Sequence, residues 1–243
     1  MTPPRIMASS GGFVPVPGLW GVMRPGRIFT RALELTGAER PRVLLVLTAS
    51  GDNASYLATM YAALAEAHCQ VSHLSLFTQP NQDPGTAIGQ SDLIWVGGGS
   101  VANLLAVWKV HGIDHHMRQA WADGTILGGV SAGSICWHAG GTTDSFGADL
   151  QPVTNALALV PYGNGVHYDS EAQRRPKLHE LVESQVLPAA YATDDHVGIL
   201  YEGDEATEVV TDSPVDPQTG PAAYFVERVG GAVIERRLPA GSL

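Results

Sequence analysis

The chain has 243 residues, 44% of them hydrophobic and 16% charged, with a formal net charge of −10. That composition excludes a disordered chain, and an acidic balance without clustered Lys and Arg excludes a nucleic-acid-binding face. Two cysteines, Cys69 and Cys136, exclude a disulfide framework and point to a reducing compartment.

Residues 1–10 carry no apolar signal core, and no run of about 18 apolar residues occurs. The expectation is a cytoplasmic protein with no membrane partner. Arg5–Ser9 reads as a first strand, ended by Gly11-Gly12. Val43–Thr48 is apolar throughout, as in a parallel strand covered on both faces. Asn53–Ala67 has Ala, Leu and Met at helical spacing, and Val71–Phe77 alternates as a strand. Leu93–Val96 is a short buried strand before Gly97-Gly98-Gly99. Val101–Lys109 and Ile113–Ala122 read as helices broken by Gly112. Ile126–Val130 is the next strand, and Ser134–His138 a short helical stretch.

Gly140–Pro161 reads as a surface connection of weak strand content. Ser170 is the expected N-cap of a helix running to about Val186, with Pro188 beyond its end. Tyr191–Tyr201 and Thr207–Val210 read as strands. Ala222–Val229 and Ala232–Arg237 flank Gly230-Gly231, a terminal hairpin and the candidate surface for a homodimer. The βαβα rhythm predicts one α/β domain over 1–243, built on a doubly wound parallel sheet. Ligands of such sheets bind at the carboxyl ends of the strands.

Gly129-Val130-Ser131-Ala132-Gly133 fits the G-x-S-x-G nucleophile elbow, with an apolar run before it and a helical stretch after it. A serine nucleophile needs a base oriented by an acid. His167, in Gly165-Val166-His167-Tyr168-Asp169, follows a short strand as Ser131 does. His138 lies on the elbow helix and is expected to point away from the serine. His111, His115 and His116 read as a solvated cluster rather than a metal site. Asp194 and Asp195 follow a strand, with Asp144 as a rival for the acid. The order Ser, His, Asp differs from that of α/β-hydrolases. The N–H of Ala132, with that of Gly98 or Gly99, is positioned to hold an oxyanion. Gly97–Ala102 also fits a loose dinucleotide loop, but the acid expected about 20 residues on at a strand end is missing.

Val96-Gly97-Gly98-Gly99, Gly129 to Ser134, and His167 to Arg175 resemble the peptidase E and cyanophycinase family of serine peptidases, with similarity from Val43 through Tyr201. The resemblance implies a fold like class I glutamine amidotransferases: flavodoxin-like, mostly parallel, with helices on both faces. It implies Ser131 as nucleophile, His167 as base, and Gly99 and Ala132 as oxyanion donors. It implies dipeptides with N-terminal aspartate as substrates, and no metal or organic cofactor. Ser100 stands where peptidase E commonly has Asn, in the substrate-binding position. Where that group has Glu, this chain offers Thr193-Asp194-Asp195-His196. Matching Ile199 downstream favours Asp195; relatives with an acid soon after the elbow keep Asp144 open. A small acidic peptide needs a cation, and Arg174 is the expected one, with Arg175 an ordinary exposed helix residue. Two other functions fit the same motifs: a cyanophycinase-like hydrolase of β-aspartyl-arginine, and a non-catalytic amidotransferase-like binding protein.

Overall fold

The computed structural model describes residues 3–212, 214, 216 and 218–243. The first half supplies β1 (Arg5–Ser9), a ribbon of β2 (Phe13–Pro15) and β3 (Met23–Pro25), α1 (Arg27–Leu35), β4 (Arg42–Val46) and α2 (Ala54–Leu64). It continues with β5 (Gln70–Leu74), α3 (Pro84–Gly89), β6 (Leu93–Val96), α4 (Val101–His111), α5 (Ile113–Ala122), β7 (Ile126–Val130) and α6 (Ala132–Ile135). The second half supplies β8 (Gly140–Thr143), β9 (Gln151–Val153), β10 (Gly163–Gly165), α7 (Arg174–Glu183) and β11 (Ala190–Thr193). It ends with β12 (Val197–Glu202), β13 (Glu205–Thr211), β14 (Ala223–Val229), β15 (Ala232–Leu238) and β16 (Gly241–Ser242).

The main sheet has eight strands in the order β16-β13-β12-β1-β7-β6-β4-β5. The run from β1 to β5 is parallel, and β12 and β13 add antiparallel strands at the other edge. Alternation along each parallel strand feeds two cores. Val43 and Leu45 of β4, with Leu93 and Trp95 of β6, pack under α1 and α2. Leu44, Val46, Ile94 and Val96 pack on the other face, under α4, α5 and α6. Burial on both faces is what makes these strands read as unbroken apolar runs.

A second, six-stranded sheet runs β15-β14-β11-β10-β8-β9. It corrects the reading of 140–161 as a surface connection, because β8 is buried along its whole length. Strands β8 and β10 escape sequence reading because glycine fills much of them. A Cβ at Gly140 would strike the backbone of Val153, and one at Gly141 would strike that of Asn164. Neighbouring backbones come too close for any side chain. The expected strand Tyr191–Tyr201 is two strands, β11 and β12, in different sheets, separated by the turn Asp194–His196. The terminal hairpin is present, with Val229 paired to Ala232 across Gly230-Gly231, both glycines at positive φ.

Helix α1 carries no capping signal in its own sequence. Its N-cap, Gly26, has no side chain to offer. Asp212, far along the chain, accepts the Ile28 N–H at 3.0 Å and the Gly12 N–H at 2.7 Å in its place. Helix α7 begins at Arg174 rather than after Ser170, and ends at Glu183. The preceding residues form turns instead, with Glu171 N–H on the His167 carbonyl at 3.1 Å and Arg174 N–H on that of Glu171 at 2.9 Å. Among the described residues no helix is long and apolar enough to cross a membrane.

Candidate active site

Strand β7 ends at Val130, and Ser131 follows with φ 57° and ψ −114°, immediately before α6. A non-glycine residue in that region is strained, and the strain is held by its surroundings. The Ser131 N–H donates to the Ser9 carbonyl at 3.0 Å, and its carbonyl accepts from Ser134 N–H at 2.8 Å. A Cβ at Gly129 would strike the backbones of Gly133 and Val96, and one at Gly133 would strike Val96. The elbow is thus clamped between β1, β6 and α6.

The Gly97–Gly99 loop lies beside it. A Cβ at Gly98 would sit 3.3 Å from Ser131 Cβ and 3.8 Å from its Oγ. The Tyr56 hydroxyl lies behind this loop, 3.4 Å from where a Cβ at Gly97 would stand, and burial raises its pKa. Gly99 lines the cleft in front of the serine, at φ 135°. Ser100 lines it too, while its Oγ accepts the Asn103 N–H at 3.2 Å and caps α4.

His167 follows β10 and has φ 54°. Its Nδ1 lies 2.6 Å from Asp195 Oδ1. Asp195 is fixed in turn, its N–H donating to Asp169 Oδ1 at 2.8 Å. Burial raises the Asp195 pKa, but hydrogen bonds from His167 and Ser170 outweigh it and hold the carboxyl below the usual range. Asp194 faces elsewhere: its Oδ2 accepts from Ala222 N–H at 2.9 Å and Tyr224 OH at 3.1 Å. Burial holds the Asp194 pKa above the ordinary value.

A residue absent from the sequence reading ties these loops to the elbow. Ser10, just beyond β1, accepts the His167 N–H on its Oγ at 3.0 Å. The same oxygen lies 2.7 Å from Thr193 Oγ1 and 3.1 Å from the Thr193 carbonyl. Nothing in its sequence context marks it, since a serine after a strand is commonplace.

Ser131 and His167 line one cleft of about 340 Å³. Asp144, Ser145, Glu171 and Arg174 also line it. The Arg174 side chain is only 3% exposed, with Nε–H on Glu171 Oε2 at 2.6 Å and Nη1 on the Thr142 carbonyl at 2.9 Å. Arg175 is not an ordinary exposed residue. Its guanidinium lies 4.5 Å from the ring centroids of both Tyr168 and Tyr224, and it pairs with Glu235. His138 is fully buried, Nδ1 on the Ser134 carbonyl at 2.9 Å and Nε2 3.3 Å from Tyr201 OH. A larger cavity of about 580 Å³, walled by Leu105, Trp108, Arg118 and Leu157, contains neither Ser131 nor His167.

The fold and the cleft define an α/β protein whose serine elbow shares a cleft with a histidine paired to an aspartate. The chain belongs to peptidase family S51, whose profile matches residues 25–209. It is 37% identical over 203 residues to the uncharacterized peptidase YgaJ of Bacillus subtilis strain 168, covering 83% of this chain and 84% of that one. It is 31% identical over 117 residues to peptidase E of Shewanella sp. strain W3-18-1, a stretch spanning 48% of each chain. Among solved structures, a peptidase from an acI-B1 actinobacterium aligns with TM-score 0.71 and 14% identity, covering 100% of this chain and 97% of that one. A candidate peptidase E from Listeria monocytogenes EGD-e aligns with TM-score 0.62 and 20% identity, covering 86% and 98%. These two establish likeness of fold.

Proposed function

We propose that this peptidase is serine-type and hydrolyses small peptides, above all dipeptides with N-terminal aspartate. One observation carries the reading: His167, paired with Asp195, lines the same cleft as Ser131. His167 takes the Ser131 proton as Oγ attacks the scissile carbonyl. Asp195 keeps the imidazole oriented, with Nδ1–H facing the carboxylate, and stabilises the imidazolium that forms. The N–H groups of Ala132 and Gly99 hold the oxyanion. His167 returns the proton to the leaving amine, and water then hydrolyses the acyl-Ser131 ester by the same route in reverse. Arg174 binds the aspartyl carboxylate, its guanidinium having five N–H donors, of which Glu171 and Thr142 engage two.

The test is hydrolysis of aspartyl p-nitroanilide by wild type and by Ser131→Ala, alongside active-site labelling with a fluorophosphonate. Turnover and a single adduct on Ser131, both lost in the variant, are expected. Equal rates in the two proteins would overturn the serine mechanism. Equal rates on aspartyl and alanyl anilides would overturn the aspartate preference alone.

A further inference from the structure

The larger cavity, about 580 Å³, has the size of a small-molecule site, and no step of the proposed mechanism uses it. Two cations, Lys109 and Arg118, and one carboxylate, Asp114, line it, so the lining is net positive in a chain of net charge −10. Lys109 and Asp114 pair with each other at 3.2 Å. Arg118 has no carboxylate partner among the described residues. Its Nη2 donates to the Leu157 carbonyl, which leaves most of the guanidinium's donors for a ligand. Leu105, Ala106, Phe146 and Val153 supply apolar surface around these charges, and Phe146 is 61% exposed.

One short segment borders both this cavity and the catalytic cleft. Asp144 and Ser145 line the cleft, and Phe146 lines the cavity. Ser145 Oγ accepts the Ala102 N–H at 3.4 Å, and Ala102 lines the cavity too. Local bonds shape the segment: Ser145 N–H on Thr143 Oγ1 at 3.0 Å, and Gly147 N–H on the Asp144 carbonyl at 3.2 Å. We infer that the cavity is a second ligand site, for a small carboxylate with an apolar body, and that its occupant orders residues 143–147 at the border of the catalytic cleft. Arg118 holds the carboxylate by charge-assisted hydrogen bonds, while the apolar body leaves water against Leu105 and Phe146. A ligand resting on Phe146 restricts Ser145 and Asp144 beside it, so the site tunes the cleft without entering it. The inference goes beyond the peptidase reading and holds whatever bond the cleft cleaves.

The probe is 3-phenylpropionate, titrated by calorimetry into the full chain, with 3-phenylpropanol and acetate as controls. One site with a dissociation constant below about 1 mM is expected, and binding at least about tenfold weaker for either control. Arg118→Gln weakens the acid at least about tenfold, and Ala106→Trp, which fills the cavity from an exposed position on α4, abolishes binding. The two variants sit on different helices, and thermal melts check each, so misfolding of one leaves the other to decide. At saturation, hydrogen exchange over 143–147 slows at least about twofold. Absence of binding, equal affinity for the alcohol, or affinity untouched in a folded Arg118→Gln or Ala106→Trp protein would overturn the site. Unchanged exchange over 143–147 with the acid bound would overturn its link to the cleft.

Discussion

The Ser10 hydroxyl oxygen accepts the backbone N–H of His167 at 3.0 Å across 157 residues of sequence. Ser10 extends the main sheet, and His167 extends the second one. Replacing Ser10 by Ala leaves a part-buried donor without its partner, at a cost of about 1–3 kcal/mol. The expected outcome for Ser10→Ala is a lower urea midpoint together with a fall in kcat larger than any change in KM. A drop in stability with unchanged kcat would mean that His167 is held by other contacts.

The two neighbouring aspartates are expected to separate cleanly. Asp195→Asn removes the acceptor that orients His167 and lowers kcat by roughly a thousandfold or more. Asp194→Asn alters the bonds from Ala222 and Tyr224 instead, lowering stability with kcat within about tenfold of wild type. Stopped kinetic assays beside thermal melts of both variants check this. The reverse ranking would move the acid to Asp194.

Burial of His138 pushes its pKa down to about 4, against the bond to Ser134. The unfolded chain titrates near 6.5. Below that pH the unfolded state binds a proton that the folded state refuses, so stability is full above about 6.5 and falls toward pH 4, by roughly 3 kcal/mol at most. Urea midpoints measured between pH 7 and 4.5 are expected to decline. His138→Gln, which keeps a donor and an acceptor, flattens part of that decline. An identical decline in the variant would remove His138 as a cause.

The Arg175 guanidinium between the rings of Tyr168 and Tyr224 joins α7 to the terminal hairpin. Arg175→Met keeps the apolar stem and removes the charge facing both rings and Glu235. A loss of about 1–2 kcal/mol is expected by chemical denaturation, with Arg175→Lys recovering part of it. Tyr168 directly follows His167, so kcat is expected to fall with stability. Unchanged stability would show that the hairpin is anchored without the cation.

The parallel half of the molecule is legible in the sequence because its strands are covered on both faces. Val-Leu-Leu-Val in β4 and Leu-Ile-Trp-Val in β6 admit little else. Ser131 is legible for a related reason, since a strand-to-helix elbow demands glycine at fixed offsets. In the second sheet the hairpin is legible, but β8 and β10 are not. Gly140-Gly141 and Gly163-Asn164-Gly165 lack the branched and aromatic residues of a strand: close backbones crowd Gly140 and Gly141, and packed side chains crowd Gly163 and Gly165. Helix α1 is hidden because its cap is Asp212, and no local pattern announces a cap borrowed from so far away. Arg175 reads as solvated because the aromatic ring of Tyr224 that encloses it arrives only with the hairpin.

Between Thr193 and Val197 the chain crosses from one sheet to the other, and every N–H on the way is committed. That of Asp194 goes to the Ala222 carbonyl, Asp195 to Asp169, His196 to the Ser10 carbonyl, and Val197 back to the Asp194 carbonyl. A passage so fully occupied has a fixed length. Inserting or deleting a single residue shifts Asp195 and puts β12 out of step with β1. Among relatives that keep this chemistry, gaps in an alignment belong elsewhere, and one falling here would mark a chain that has given the chemistry up.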